Sequence, residues 1–165
     1  MRAPSFWWNE RSSLAARLLS PAGAVFGAVT ARRMAREGVR ASVPVICVGN
    51  LVAGGAGKTP TALAVASYLA EAGERPIFLT RGYGGRLPGP VLVDPGVHAA
   101  ADVGDEPLLL ARKARTVVAR DRPEGAAFAA GLGASVIVMD DGLQNPSLHK
   151  DLVIAVIDGA TGIGN

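Results

Sequence analysis

After Arg40 the chain alternates short, continuously apolar runs with longer segments in which apolar and polar residues mix at helical spacing. Short runs rich in β-branched residues are typical of strands that are buried on both faces of a parallel sheet. The predicted strands are residues 43–48, 76–80, 91–94, 116–119, 135–140 and 152–158. The predicted helices are residues 58–72, 106–114 and 123–132, and Gly73 and Gly133 are expected to end two of them. This alternation predicts an α/β fold with a parallel sheet flanked by helices.

The first forty residues have a different pattern, in which apolar side chains alternate with arginines. The apolar positions are Phe6, Trp7, Trp8, Leu14, Leu18, Leu19, Val25, Phe26 and Val29, and the basic ones are Arg11, Arg17, Arg32, Arg33 and Arg36. This pattern predicts an amphipathic helical segment over residues 1–40, formed by one helix or by two helices broken at Pro21. The longest uncharged stretch, residues 18–31, has 14 residues and is shorter than the ~20 that a membrane-spanning helix requires.

Three interpretations of this segment differ in what covers its apolar side. Paired tryptophans and flanking arginines are typical of a helix that lies in the lipid headgroup plane, and we predict this monotopic arrangement. The same pattern fits an ordinary helix that packs on the domain and leaves its arginines in solvent. A cleaved signal peptide is least favoured, because Glu10 and Arg17 interrupt the apolar stretch.

Composition and charge narrow the classes of protein. The 165 residues are 49% hydrophobic and 19% charged, which predicts one folded domain with a core. Residues 1–40 hold seven arginines against two acids, whereas the rest of the chain holds ten bases against twelve acids, so the body is slightly acidic. Nucleic-acid binding is therefore disfavoured. Cys47 is the single cysteine, which excludes a disulfide framework within the chain and a cysteine-rich metal site.

A glycine-rich loop follows the first predicted strand of the body, in the sequence N-L-V-A-G-G-A-G-K-T-P-T of residues 50–61. Its end matches the last three positions of the Walker A loop and precedes a predicted helix, although Val52 takes the place of the first glycine. Backbone N–H groups of such a loop converge on phosphate oxygens at a helix amino terminus. The predicted ATP-binding residues are Val52, Ala53, Gly54, Gly55, Ala56, Gly57, Lys58 and Thr59. A glycine-rich turn that binds nothing is the less favoured alternative.

Three acidic residues complete the predicted P-loop NTPase-like site. Asp140 and Asp141 end the apolar run 136–139 and would hold Mg²⁺ together with the Thr59 hydroxyl, while Lys58 reaches the β- and γ-phosphates. Asp105 lies in Gly-Asp-Glu-Pro at residues 104–107. It is either an acid that the start of a helix favours or the base that accepts a proton from an attacking hydroxyl.

Four motifs occur in one order: residues 49–60 with Gly-Lys-Thr-Pro, 81–84 (Arg-Gly-Tyr-Gly), 104–107, and 140–144 (Asp-Asp-Gly-Leu-Gln). In this combination the chain resembles the tetraacyldisaccharide 4'-kinase family, which shares the departure at Val52. The resemblance implies transfer of the ATP γ-phosphate to the 4'-hydroxyl of a tetraacylated glucosamine disaccharide in lipid A biosynthesis, at the cytoplasmic face of the bacterial inner membrane. It implies that Asp105 and Lys58 are catalytic, that Asp140 and Asp141 bind Mg²⁺–ATP, and that Gln144 and Arg122 contribute to the site.

The resemblance covers only the nucleotide-binding half of the family. It implies a second α/β lobe after Asn165, which carries a histidine that pairs with the acid matched by Asp105. The chain is therefore expected to be a fragment, with residues 41–165 forming the P-loop domain. Two alternatives stay open: a membrane-associated ATPase of the deviant Walker type, and a nucleotide-binding fragment without catalysis. The first is disfavoured, because this chain has Ala53 at the position where those proteins have a lysine. The sequence predicts no oligomeric state.

Overall fold

The structure, a computed structural model, describes residues 14–50 and 57–159. Its helices are α1 (Leu14–Met34), α2 (Lys58–Glu71), α3 (Ala100–Val103), α4 (Asp105–Ala111) and α5 (Arg122–Gly131). Its strands are β1 (Val45–Gly49), β2 (Pro76–Thr80), β3 (Val91–Leu92), β4 (Thr116–Val118), β5 (Val136–Asp140) and β6 (Leu152–Ala155).

The strands form one six-stranded sheet in the order β3-β4-β2-β5-β1-β6. All neighbouring strands run parallel except β3, which pairs antiparallel with β4. In the centre of the sheet Cys47 lies opposite Met139, and Ile77 lies opposite Ile137. The carboxyl ends of β1 and β5 therefore meet at the same edge of the sheet, where ligands bind in this architecture.

Helices cover both faces of the sheet and divide the core into two layers. Ala126 and Ala129 of α5 pack on one face, against a cluster that includes Ile137 and Met139. Ala62 and Ala66 of α2, together with Leu110 of α4, pack on the other face against Val138. Side chains alternate between the two faces along a strand, so β5 has to be apolar at nearly every position. The predicted α/β sheet flanked by helices is confirmed.

The structure differs from the sequence prediction in its details at the β3 side of the sheet. The sheet was predicted to be parallel, but β3 is antiparallel because residues 81–90 connect it to β2 without a crossover helix. Helix α3 was not predicted. Helix α4 begins at Asp105 and ends at Ala111, whereas the prediction was 106–114.

In the described part of the amino-terminal segment the one helix is α1, which continues through Pro21. The described side chains of residues 18–34 are exposed, except for the half-buried Thr30. Leu18 is 80% exposed and Phe26 is 75% exposed, so this part of α1 does not pack on the domain. Among the described residues, none of the helices is both long and apolar enough to cross a bilayer. The division of the chain at residue 40 stays a prediction, and residues 1–13 lie outside the described part.

Candidate functional site

The candidate site lies at the carboxyl ends of β1 and β5, beside the amino termini of α2 and α4. Asn50 follows the end of β1, and Gly57 directly precedes α2. Gly57 has a φ of 85°. A positive φ of this kind favours glycine, because other residues clash there. The predicted phosphate-binding residues Val52, Ala53, Gly54, Gly55 and Ala56 lie outside the described residues. Gly57, Lys58 and Thr59 stand at the start of α2, as the loop motif predicts.

Lys58 connects the two central strands of the site. Its Nζ donates a hydrogen bond to Asn50 Oδ1 at 3.0 Å and lies 3.7 Å from Asp141 Oδ1. The Lys58 side chain is 17% exposed, whereas that of Asp141 is 61% exposed. The ammonium group is thus held over the space between β1 and β5 by one amide and one carboxylate. A phosphate can exchange with these oxygens, because lysine donates hydrogen bonds in three directions.

Asp140 ends β5 on the face of the sheet that α2 and α4 cover. It is 1% exposed, and neither of its carboxylate oxygens has a hydrogen-bond partner among the described residues. Burial, followed by the negative charges of Glu106 and Asp141, raises the pKa of Asp140 to about 6, against the opposing positive charges of Lys58 and Arg122. A buried carboxylate without partners is costly unless a cation neutralises it.

Asp141 follows Asp140 with a φ of 54°, the one positive φ outside glycine among the described residues. Asp tolerates this left-handed conformation better than most residues do. Its N–H donates to the Val48 carbonyl oxygen at 3.0 Å, so the backbone after β5 bends back over β1. The turn directs the two adjacent carboxylates differently, with Asp140 buried and Asp141 exposed beside Lys58.

A hydrogen bond joins the amino termini of α2 and α4. Thr59 Oγ1 donates to Glu106 Oε1 at 2.9 Å, across 47 positions of the chain. Glu106 belongs to the Gly-Asp-Glu-Pro motif, but its sequence predicts no contact with the glycine-rich loop segment. The dipeptide Asp105-Glu106 was the one available signal, since two adjacent acids at the start of a helix point in different directions.

Asp105 is exposed and lines an open cavity of ≈ 570 Å³. Glu106, Leu108, Leu109 and Arg112 line the same cavity. Asp105, the predicted base, is therefore accessible to solvent, and it lies one residue from Glu106, which contacts Thr59. The cavity combines charged side chains with the apolar side chains of two leucines.

Two glycine motifs of the sequence pack against each other and position α4. Gly104 has a φ of 94° and a ψ of 160°, a region of backbone space that glycine alone adopts without strain. A Cβ atom on Gly104 would overlap the Tyr83 carbonyl oxygen, and one on Gly82 would lie 2.9 Å from the Val103 carbonyl oxygen. The glycines at 82 and 104 are thus required because the loop after β2 touches the turn before α4.

Arg122 and Gln144 are the two residues that the family resemblance added with less support. Arg122 is 2% exposed, its Nε lacks a partner among the described residues, and one of its terminal nitrogens donates to the Ala119 carbonyl oxygen at 3.3 Å. Burial, followed by the positive charge of Arg81, lowers the pKa of Arg122 to about 10, while Cys47, Asp141 and Asp140 oppose this change. Gln144 is exposed in the turn after β5. The roles of both residues stay predictions.

The donor set fits a magnesium ion that is shared with a nucleotide. No group of three or more His, Cys, Asp or Glu side chains in the described ranges could hold a metal ion alone. Mg²⁺ is usually bound by one or two carboxylates together with substrate phosphates, so this is the expected composition. Asp140, whose two oxygens lack partners, Asp141 and the Thr59 hydroxyl are the protein groups that would hold it.

Comparisons with known proteins give one result. The model of the tetraacyldisaccharide-1-P 4'-kinase family matches residues 15–165. Proteins named tetraacyldisaccharide 4'-kinase from Methylobacterium sp. (strain 4-46) and Rhodopseudomonas palustris (strain BisB18) are 67% and 62% identical to it over 165 residues. These matches cover 100% of this chain and 50% and 48% of the relatives, so the chain spans about half the length of the curated relatives it matches.

The solved structures include one with the same fold. The crystal structure of LpxK from Aquifex aeolicus in complex with ATP is 32% identical and superposes with a TM-score of 0.74. The match covers 84% of this chain and 48% of that one. This likeness confirms the predicted P-loop NTPase-like fold and favours the kinase interpretation over the deviant Walker ATPase. The chain therefore belongs to the tetraacyldisaccharide-1-P 4'-kinase family.

Proposed function

We propose that the protein to which this chain belongs transfers the γ-phosphate of ATP to the 4'-hydroxyl of a tetraacylated disaccharide in lipid A biosynthesis. The observation that carries the proposal is the contact between Thr59 and Glu106. It supports the proposal because Asp105 directly precedes Glu106 at the start of α4 and so lies close to Thr59 at the start of α2, although the two motifs are far apart in the sequence. A base beside the nucleotide is what transfer to an alcohol requires.

Each group in the site has a separate task in the proposed reaction. Lys58 leaves Asn50 and Asp141 for the β- and γ-phosphates, and the start of α2 adds its N–H groups and its positive dipole end. Asp105 accepts the proton of the 4'-hydroxyl as its oxygen bonds to the γ-phosphorus, while the bond from that phosphorus to the β,γ-bridging oxygen breaks and ADP leaves. Thr59, Asp140 and Asp141 would hold Mg²⁺, which when bound neutralises charge on the phosphate oxygens. Catalysis by these groups is mainly positioning and charge stabilisation.

The test has a binding part and a transfer part. A fluorescent ATP analogue titrated into this chain measures nucleotide binding, and labelled phosphate transferred to the disaccharide lipid measures catalysis by the full product of the gene. Asp105→Asn should abolish transfer and leave nucleotide binding unchanged, whereas Glu71→Gln, which removes an exposed acid at the far end of α2, should change neither. Transfer that persists in Asp105→Asn refutes the role of that residue. Binding without transfer in the wild-type protein supports a non-catalytic nucleotide-binding protein instead.

We also propose that residues 1–40 attach the protein to the cytoplasmic face of the inner membrane, where the lipid acceptor is found. The exposed apolar side chains of α1 support this, since a helix with Leu18 80% exposed and Phe26 75% exposed has no apolar partner in the described part of the protein. Arg32 and Arg36 would meet anionic headgroups. Sedimentation with anionic and with neutral vesicles tests this proposal. Binding to neither kind of vesicle would refute it.

A further inference from the structure

We propose that Glu106 is a positioning residue for the magnesium site, because it fixes the direction in which the Thr59 hydroxyl presents its lone pairs. The inference rests on the proposed function, since it requires that a magnesium–nucleotide complex binds at the start of α2. It assigns a role to a residue that the sequence motif leaves as a simple helix-start acid. Glu106 lies on α4, and the metal ligand that it orients, Thr59, lies on α2.

Glu106 sets the direction of the Thr59 hydroxyl proton. A threonine hydroxyl has one proton and two acceptor lone pairs, and its proton rotates to the best available acceptor. Thr59 Oγ1 donates this proton to Glu106 Oε1 at 2.9 Å. The lone pairs of the oxygen then face away from Glu106. A metal ion binds a lone pair, so the contact selects the hydroxyl orientation that a metal ligand needs.

The charge around the same space is the second feature. Asp140 is 1% exposed with two oxygens that lack partners among the described residues, and Glu106 acts on it as a nearby negative charge. Glu106 therefore contacts the Thr59 hydroxyl and also lies close enough to Asp140 to act on its charge, while no described residue donates a hydrogen bond to Asp140. Groups that hydrogen-bond to metal ligands orient them and add to metal affinity by about 10- to 100-fold.

A purely structural role for Glu106 makes different predictions. An acid in the first turn stabilises a helix through the dipole, and its loss weakens α4 whatever is bound. If Glu106 acts through Thr59, its loss changes the metal affinity and leaves the binding of metal-free nucleotide unchanged or stronger. The metal-free affinity can rise because a negative charge near the phosphates is removed. The two affinities therefore separate the two roles.

The experiment measures Mn²⁺ binding to the protein with a non-hydrolysable ATP analogue by electron paramagnetic resonance, and binding of the analogue alone in chelator. We expect Glu106→Met to weaken Mn²⁺ binding about 10- to 100-fold. Glu106→Gln, which keeps an oxygen acceptor, should recover part of this loss. Glu71→Gln, which removes an acid from the other end of α2, should leave Mn²⁺ affinity unchanged. The analogue alone should bind each variant at least as well as it binds the wild-type protein.

A double-mutant cycle tests whether Glu106 acts through Thr59. On a Thr59→Val background the hydroxyl is absent, so Glu106→Met should cause little further loss of Mn²⁺ affinity. An equal loss on both backgrounds, or parallel loss of metal-bound and metal-free nucleotide binding, overturns the inference. If the wild-type protein binds the metal–nucleotide complex and Glu106→Met binds it equally well, the inference is overturned but the proposed function is not. If the wild-type protein binds no metal–nucleotide complex, the proposed function fails as well.

Discussion

Replacement of Asp140 by asparagine should change how the stability of the protein depends on pH. In the folded protein burial raises the pKa of Asp140 from 3.8 to about 6. A carboxyl group with a raised pKa stabilises the fold while it is protonated, and this contribution is lost as the pH rises through the folded value. Asparagine has no proton to lose in this range, so the variant does not show this loss.

The size of the effect follows from the shift in pKa. Each unit corresponds to 1.36 kcal/mol, so the rise to about 6 corresponds to about 3 kcal/mol of unfolding free energy. Asp140 is 1% exposed, and solvent therefore screens little of this cost. The buried amide of asparagine adds a penalty of about 1–3 kcal/mol, but that penalty is the same at every pH. The informative quantity is the pH dependence of the difference between the two proteins.

Urea unfolding followed by far-UV circular dichroism, in chelator and at several pH values between about 4 and 7, gives this difference. The stability of the wild-type protein relative to Asp140→Asn should fall by up to about 3 kcal/mol across the range and then level off. Glu71→Gln, at an exposed position, controls for the loss of one carboxylate. A difference that stays constant with pH would show that Asp140 is not desolvated, and the argument for a cation at this position would fail with it.

Three further predictions concern the turn before α4, the lysine at the start of α2, and the exposed face of α1. Gly104→Ala should destabilise the fold by at least about 2 kcal/mol, because its backbone conformation and the Tyr83 carbonyl oxygen both exclude a side chain; unchanged urea unfolding would contradict this. Lys58→Met should weaken binding of the ATP analogue by about 10- to 100-fold, because a charged hydrogen-bond donor is lost. Lys113→Met, which replaces an exposed lysine after α4, should leave this affinity unchanged. Equal affinities of the two variants would show that Lys58 does not belong to the site. Phe26→Glu should lower vesicle binding about tenfold or more, since a phenylalanine buried in lipid contributes ~1.5–3 kcal/mol to the binding free energy. Tyr68→Glu, at an exposed position of α2, should not lower binding and serves as the control in the same sedimentation assay.

The sequence was sufficient for the parts of the fold that depend on local pattern. Continuous apolar runs predicted the central strands because a strand covered on both faces cannot alternate with polar residues. The position of Asp140 at the end of such a run predicted a carboxylate at the edge of the sheet. Lys58 and Thr59 were predicted by the loop motif and stand at the start of α2.

The features that the sequence did not predict depend on contacts between distant segments. The hydrogen bond between Thr59 and Glu106 joins residues 47 positions apart, and neither sequence motif predicts a contact with the other. The burial of Arg122 is likewise set by the sheet and not by its own helix, in which it is the first residue. The direction of β3 depends on a connection without regular structure, for which apolar periodicity gives no signal.

The backbone contact between the loop after β2 and the turn before α4 fixes these two segments to each other. Neither Gly82 nor Gly104 has room for even a methyl group, so neither segment can shift towards the other. Any change that moves one of these segments therefore has to move the other as well. Single substitutions at these glycines are therefore unfavourable both in evolution and in design, whereas Leu109, on the wall of the cavity, is 49% exposed and so less constrained by packing.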